Sequence, residues 1–180
     1  MSGMAWIRIL LGAVWLNGAV EKILNPAFPA QFERALLSGS FIAQAPPFLQ
    51  SFMRQTVLPN AEAFAQLVRF GELAVGLALV FGLLVNPAAL VSVVYSAALF
   101  LAQGGPNLGE GLSAPEFLTI NLMLALISAS VLLSPSSKDS SLDTGLARSR
   151  PRLAPLLLNR RPRRPQAGSR GRTEGSRSVR

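Results

Sequence analysis

The sequence predicts an all-α fold: a four-helix transmembrane bundle with a long outer interfacial loop between helices 1 and 2 and a disordered basic C-terminal tail. Four apolar stretches of 15 to 22 residues support the bundle, and half of the 180 residues are hydrophobic. The charges are segregated as well. Residues 1–134 hold five Lys or Arg and six Asp or Glu, whereas residues 135–180 hold twelve and three. The net charge of +8 is therefore the sum of −1 in residues 1–134 and +9 in the tail.

The four predicted spans cover residues 5–24, 64–85, 88–102 and 117–133, within a transmembrane domain of residues 1–134. As a helix the first is about 30 Å long, which matches the hydrocarbon thickness. Asn86-Pro87 is predicted to separate the second and third spans, and Ser113, Pro115 and Glu116 to begin the fourth. The third and fourth spans are short for a bilayer of ordinary thickness. They are either buried helices of a soluble protein or membrane helices that thin the bilayer locally.

The connection between the first two spans is long for a helix bundle. Phe28, Phe32 and Leu36 recur every four residues, and Phe48 and Phe52 share this spacing. The pattern predicts short helices at the outer membrane interface. They form either a packed cap or a lid over a lipophilic site.

The tail, residues 135–180, is rich in Arg, Ser, Pro and Gly, a composition typical of disorder. Its positive charge predicts that it is cytoplasmic, and four spans place the N-terminus on the same side. The expected partners are the lipid bilayer and anionic lipids. Nucleic-acid binding is not favoured, because no aromatic residue is interleaved with the basic ones.

The chain has no His and no Cys, which excludes Ser-His-Asp and Cys-His triads and Cys/His metal sites. No metal site and no covalent cofactor are expected. Chemistry would depend on acidic, basic, hydroxyl and amide side chains.

Polar residues inside the spans are the candidate site, because ionisable groups are costly in a bilayer. They are predicted at similar depth in the outer half of the bundle, and the inner half should be almost purely apolar. One interpretation is an ion-pair clasp between helices. The other is a pocket for a quinone or similar amphiphile, with Glu72 as a candidate catalytic proton carrier. The predicted cluster is Asn17, Glu21, Lys22, Arg69, Glu72, Gln103 and Asn121.

Several elements together resemble the DoxX/DoxD-like family of small bacterial and archaeal membrane proteins. The matching stretches are Arg8-x3-Gly12-x2-Trp15-Leu16-x-Gly18-x3-Lys22-x2-Asn25-Pro26, Val57-Leu58-Pro59-Asn60-Ala61, Gly71-Glu72-Leu73-x2-Gly76-Leu77 and Leu101-Ala102-Gln103-Gly104. The resemblance covers residues 5–134 and implies a multi-pass protein of the bacterial plasma membrane.

Some family members look like the quinone-reducing subunit of a thiosulfate:quinone oxidoreductase. Others look like the membrane partner of a superoxide dismutase and a sulfurtransferase. The resemblance implies roles for Lys22 and Glu72, which lie in matching elements, while Arg69 and Glu21 flank them. With no Cys for persulfide chemistry, the chain would act on the quinone or through redox partner subunits. The alternatives are a small transporter, a lipid-binding protein, or a scaffold that docks partners through its tail.

Overall fold

The computed structural model describes residues 2–38, 42, 45–105, 119–139, 141–149 and 157. Over these residues the protein is helical and contains no strand, so the predicted all-α class is confirmed. The helices are α1 (Gly3–Leu24), α2 (Phe28–Leu37), α3 (Pro47–Phe52), α4 (Ala61–Phe81), α5 (Val85–Ala102), α6 (Ile120–Leu133) and α7 (Leu142–Ser149).

Three helices within the described residues are long and apolar enough to cross a membrane. They are α1, α5 and a continuous helix, Pro47–Phe81, in which a π turn (Met53–Val57) and a 3₁₀ turn (Leu58–Asn60) join α3 to α4. The apolar helix α6 is shorter. All four expose large apolar side chains, such as Leu10, Leu67, Val94 and Leu126. A water-soluble bundle would bury them, whereas a bilayer solvates them.

The turn between α4 and α5 lies earlier than predicted. Gly82 ends α4 in the left-handed conformation (φ 68°), and Leu84 also has a positive φ, 53°. Helix α5 begins at Val85 and includes Asn86 and Pro87. The predicted break at Asn86-Pro87 is therefore wrong. Proline fits the first turn of a helix, where the backbone N–H has no intrahelical partner.

Helices α1 and α4 are antiparallel neighbours that approach closely at two glycines. A Cβ on Gly12 would lie 2.8 Å from Val80 N and 2.9 Å from Gly76 O. Leu11, Trp15, Val75, Leu79 and Val85 form the centre of the main apolar core. The end of the bundle where α1 ends and α4 begins is called the loop end. The opposite end, where the Gly82–Leu84 turn joins α4 to α5, is called the turn end.

The predicted short helices of the outer loop are present as α2 and α3. Leu36 is buried in a second apolar cluster with Ile42, Val57 and Ala61, and Phe32 packs against it. Phe48 and Phe52 are exposed. The loop is therefore a packed cap at the loop end that also exposes aromatic rings. Phe41 and the predicted start of span four, including Ser113, Pro115 and Glu116, lie outside the described residues.

The first part of the tail is ordered, which corrects the prediction of disorder from residue 135 onward. A 3₁₀ turn, Pro135–Lys138, and α7 follow α6. Asp143 Oδ1 and Oδ2 accept hydrogen bonds from Leu84 N and Val85 N, each 2.8 Å long. Ser2 Oγ also donates to Ser136 O at 2.6 Å. Amino-acid composition cannot predict such specific polar contacts. Residues 150–156 and 158–180 lie outside the described part.

Candidate functional site

A buried ion pair joins α1 to α4 near the loop end. Lys22 Nζ lies 2.8 Å from Glu72 Oε2 and also donates to Gly18 O at 3.3 Å. The Glu72 side chain is 7% exposed and that of Lys22 25%. In the part of the chain that the structure describes, this is the only side-chain ion pair within 4 Å. The pair satisfies a carboxylate that would otherwise be costly in an apolar span.

Tyr95 of α5 adds a phenol to this pair. Its hydroxyl donates to Glu72 Oε1 over 3.5 Å, the long limit of a hydrogen bond. The Tyr95 ring also packs against Trp15, with 5.5 Å between ring centroids. We call Lys22, Glu72 and Tyr95 the charged site. Tyr95 was not predicted from the sequence, because nothing in the pattern of α5 shows which face turns toward Glu72.

A chain of hydrogen bonds continues from Trp15 toward α6. Trp15 Nε1 donates to Ser92 Oγ at 2.8 Å, and the Ser92 and Ser128 hydroxyls lie 2.6 Å apart. Ser128 Oγ donates to Leu124 O, also at 2.6 Å. The chain fixes α1, α5 and α6 beside the charged site. The three side chains lie in apolar spans, where few other polar groups compete for their hydrogen bonds.

Arg69 lies on the loop side of the charged site. Its Nη2 donates to Asn25 O, and its Nη1 donates to Gln66 Oε1 at 3.3 Å. Its Cζ lies 5.3 Å from the centroid of the Phe28 ring, and Lys22 Nζ lies 5.9 Å from the same centroid. The first residue of α2 therefore contacts both cations through its ring face, a favourable cation–π geometry.

The predicted polar cluster is only partly assembled. Lys22 and Glu72 meet, and Arg69 shares the Phe28 ring with Lys22. Arg69 forms no ion pair with Glu72 or Glu21 within 4 Å. A separate contact joins the other two members at the loop end: Asn121 Nδ2 donates to Gln103 Oε1 at 2.9 Å. Asn17 and Glu21 are exposed on α1, because they face away from the α1–α4 contact.

Two polar atoms in this half of the bundle are buried without a hydrogen-bond partner among the described residues: Arg69 Nε and Ser96 Oγ. Ser96 lies one helical turn from Ser92, on the loop side. Unsatisfied buried donors are uncommon and call for an explanation. Both atoms lie in the same half of the bundle as the charged site.

Comparison with family models gives a match for this chain. The DoxX model matches residues 3–105. The chain belongs to the DoxX family. Comparison with curated proteins and with solved structures gave no match. The predicted family is thereby confirmed, and together with the apolar helices it shows an integral membrane protein.

The DoxX match includes every residue of the charged site and excludes α6, with Asn121, and α7. Lys22, Glu72 and Tyr95 therefore all lie in the part of the chain that matches the family. The contacts from α6 onward are features of this chain beyond the matched region.

The turn end of this DoxX protein contains a second polar group, contrary to the expectation of an almost purely apolar inner half. Arg8 is 1% exposed, Lys138 2% and Asp143 0%. Burial lowers the pKa of Lys138 from its ordinary value, and the nearby Asp143 carboxylate partly offsets this. Arg8 was visible in the sequence as a charge in an apolar span. The sequence did not show that Lys138 and Asp143 lie beside it, because both belong to the tail.

Proposed function

We propose that this DoxX protein is a quinone-linked membrane subunit of a redox complex, and that the charged site receives the quinone head group. The buried Lys22–Glu72 pair with Tyr95 against it carries this proposal. A purely structural ion pair needs no phenol, whereas a head-group site needs donors as well as a proton carrier.

The chemistry of the three side chains suits a quinone. Its two carbonyl oxygens accept hydrogen bonds, which Lys22 and Tyr95 can donate. Reduction to the quinol takes up two electrons and two protons. Glu72 is the acid placed to pass protons, since its carboxylate already contacts both donors. The electrons would come from a partner redox subunit, because the chain has no Cys and no His to hold a redox centre.

The surroundings fit a ring-shaped amphiphile. Phe28 covers the loop side of the two cations, and Trp15 and Tyr95 supply aromatic faces. Arg69 Nε and Ser96 Oγ are donors still available in the same half of the bundle. Binding sites of this class are mostly apolar, with a few polar groups that fix orientation.

Quinone binding can be measured through Trp15, which packs on Tyr95. The exposed Trp6 is first replaced (Trp6→Phe), so that Trp15 is the sole tryptophan. Titration of this variant in lipid nanodiscs with decylubiquinone should give saturable quenching of fluorescence. Adding Glu72→Gln should weaken the apparent affinity about tenfold, or about 1.4 kcal/mol. The exposed acid of the same helix, replaced by Glu62→Gln, is the control and should change nothing.

Quenching that rises linearly without saturation, or that responds equally to Glu62→Gln, would contradict a quinone site. A role as a non-catalytic membrane anchor would then remain, and its signature is co-purification of redox subunits in mild detergent without quinone binding. A transporter or lipid-binding protein would show neither.

We further propose that the protein is located in a bacterial plasma membrane with both termini cytoplasmic. Twelve of the seventeen Lys and Arg follow residue 134, and basic segments stay on the cytoplasmic side. The same charge would hold the tail to anionic lipids.

A further inference from the structure

Three charged side chains are buried together at the turn end, at the opposite end of α1 from the charged site. Arg8 comes from α1, Lys138 from the 3₁₀ turn after α6, and Asp143 from α7. Two cations and one anion leave a net charge of +1 where almost no side-chain surface reaches solvent. An uncompensated buried charge is costly, so buried charges are normally paired.

Asp143 does not pair closely with either cation. Both of its carboxylate oxygens accept backbone hydrogen bonds at the first turn of α5, from Leu84 N and Val85 N. Its own N–H donates to Gly82 O at 2.9 Å. No oxygen of Asp143 lies within 4 Å of a nitrogen of Arg8 or Lys138. The carboxylate therefore caps a helix, and neither cation has a contacting anion in the part of the chain that the structure describes.

Arg8 is the most under-satisfied side chain of this group. Its Nε and Nη1 are buried and have no hydrogen-bond partner among the described residues. The guanidinium lies against Gly82, where a Cβ would collide with Arg8 Nη1 and with Ser141 Cβ. Glycine at this position thus lets the guanidinium reach the turn that opens α5. A guanidinium offers paired donors that match the oxygens of a phosphate group.

We infer that the turn end holds a second binding site, for the phosphate group of an anionic ligand, formed by Arg8, Lys138 and the first turn of α5. The positive end of the α5 dipole adds to the two cations. Asp143 already shows that this turn accepts an anionic oxygen pair. Since Ser141 and Asp143 both contact the turn, a bound phosphate would displace part of α7.

Two sources could supply the phosphate group, a phospholipid head group or free phosphate, and separate measurements distinguish them. Thermal unfolding of the full chain in a neutral detergent is followed against sodium phosphate, with sodium chloride of equal ionic strength as reference. Native mass spectrometry then counts retained phosphatidylglycerol against phosphatidylcholine. Phosphate-dependent stabilisation assigns free phosphate, and selective retention of phosphatidylglycerol assigns a head group.

Lys138→Met should weaken the binding about tenfold in whichever of the two measurements detects it. Arg148→Met, which removes the same charge from an exposed position of α7, should leave it unchanged. Asp143→Asn removes the competing negative charge and should tighten binding severalfold. Absence of binding in both measurements, equal loss in Arg148→Met, or no gain in Asp143→Asn would overturn the inference. Because quinone quenching at Trp15 is read independently, failure here leaves the proposed function untouched.

Discussion

At the scale of single residues, the Lys22–Glu72 pair explains how two charged side chains can lie inside an apolar bundle. Each charge offsets the cost of burying the other, and Tyr95 satisfies the second carboxylate oxygen. Trp15, which packs on Tyr95, is oriented by its hydrogen bond to Ser92. Removal of one partner should therefore cost more than removal of both.

Glu72→Gln should lower the free energy of unfolding by roughly 1–3 kcal/mol, because it leaves the Lys22 ammonium without a counter-charge. The upper part of the usual range for buried pairs is not expected, since the Lys22 side chain is 25% exposed. Denaturation of detergent-solubilised protein gives the value. Glu62→Gln on the exposed side of α4 should change it by less than about 0.5 kcal/mol, and an equal loss there would refute the argument.

Charged residues in apolar spans predicted this pair from sequence, because ionisable groups in a membrane need partners. The partnership of Tyr95 with Glu72 was not predictable. It depends on the rotation of α5 about its axis, and that helix is apolar on nearly all faces. The predicted depth of Asn17 and Glu21 was reasonable, but depth does not say which face of α1 they occupy, and both are exposed.

At the scale of helices, the α1–α4 contact depends on glycine at the crossing. Gly12→Ala places a Cβ against the backbone atoms Val80 N and Gly76 O, which cannot move away as a side chain can. We expect a loss of about 1–3 kcal/mol in unfolding free energy.

Gly71→Ala on α4 is the matched control for this change. Its Cβ would meet nothing within 4 Å, and alanine favours helix by up to about 1 kcal/mol. The thermal unfolding midpoint should therefore fall in Gly12→Ala and rise in Gly71→Ala. Similar behaviour of both would show that the glycines do not set the helix distance.

Asp143 connects the tail to the core fold. Asp143→Ala should lower stability by about 0.5–2 kcal/mol, the usual cost of losing a helix cap. It should also speed trypsin cleavage after Lys138, which is 2% exposed while α7 is docked. Ser149→Ala, at an exposed position of α7 away from the cleaved bond, provides the control. Unchanged cleavage in Asp143→Ala would mean that other contacts hold α7 in place.

The all-α membrane bundle was predicted correctly, since several long apolar stretches admit few other folds. The turn between α4 and α5 was misplaced because two signals competed there. Pro87 indicates a break, but proline is also suited to the start of a helix, and Gly82 supplies the left-handed residue that ends one. The docking of α7 could not be read from a composition typical of disorder.

At the scale of the whole molecule, polar groups are concentrated at the two ends of an apolar bundle. The charged site lies toward the loop end, and the Arg8 group lies at the turn end. Both ends use α1, which contributes Lys22 to one and Arg8 to the other. The exposed surface between them is mainly apolar, as a bilayer requires, with Asn17 of α1 among the exceptions.

In the proposed topology, four spans place the two termini on one side of the membrane and the loop end on the other. Single cysteines can test this directly, because the chain has none of its own. In intact cells a membrane-impermeant maleimide should label the Glu33→Cys variant, altered on exposed α2. It should label Arg148→Cys only after the cells are opened. Labelling of both in intact cells would contradict the proposed topology.

The most direct test of the central claim compares stability with quinone binding in the double variant Lys22→Met/Glu72→Gln, made in the Trp6→Phe background. Removing both charges should restore most of the stability that Glu72→Gln alone loses, because no unpaired charge is left. Quenching of Trp15 by decylubiquinone should nevertheless stay at least tenfold weaker than in the parent. If the double variant instead binds the quinone as tightly as the parent does, the pair is only a clasp between α1 and α4, and the proposed function is wrong.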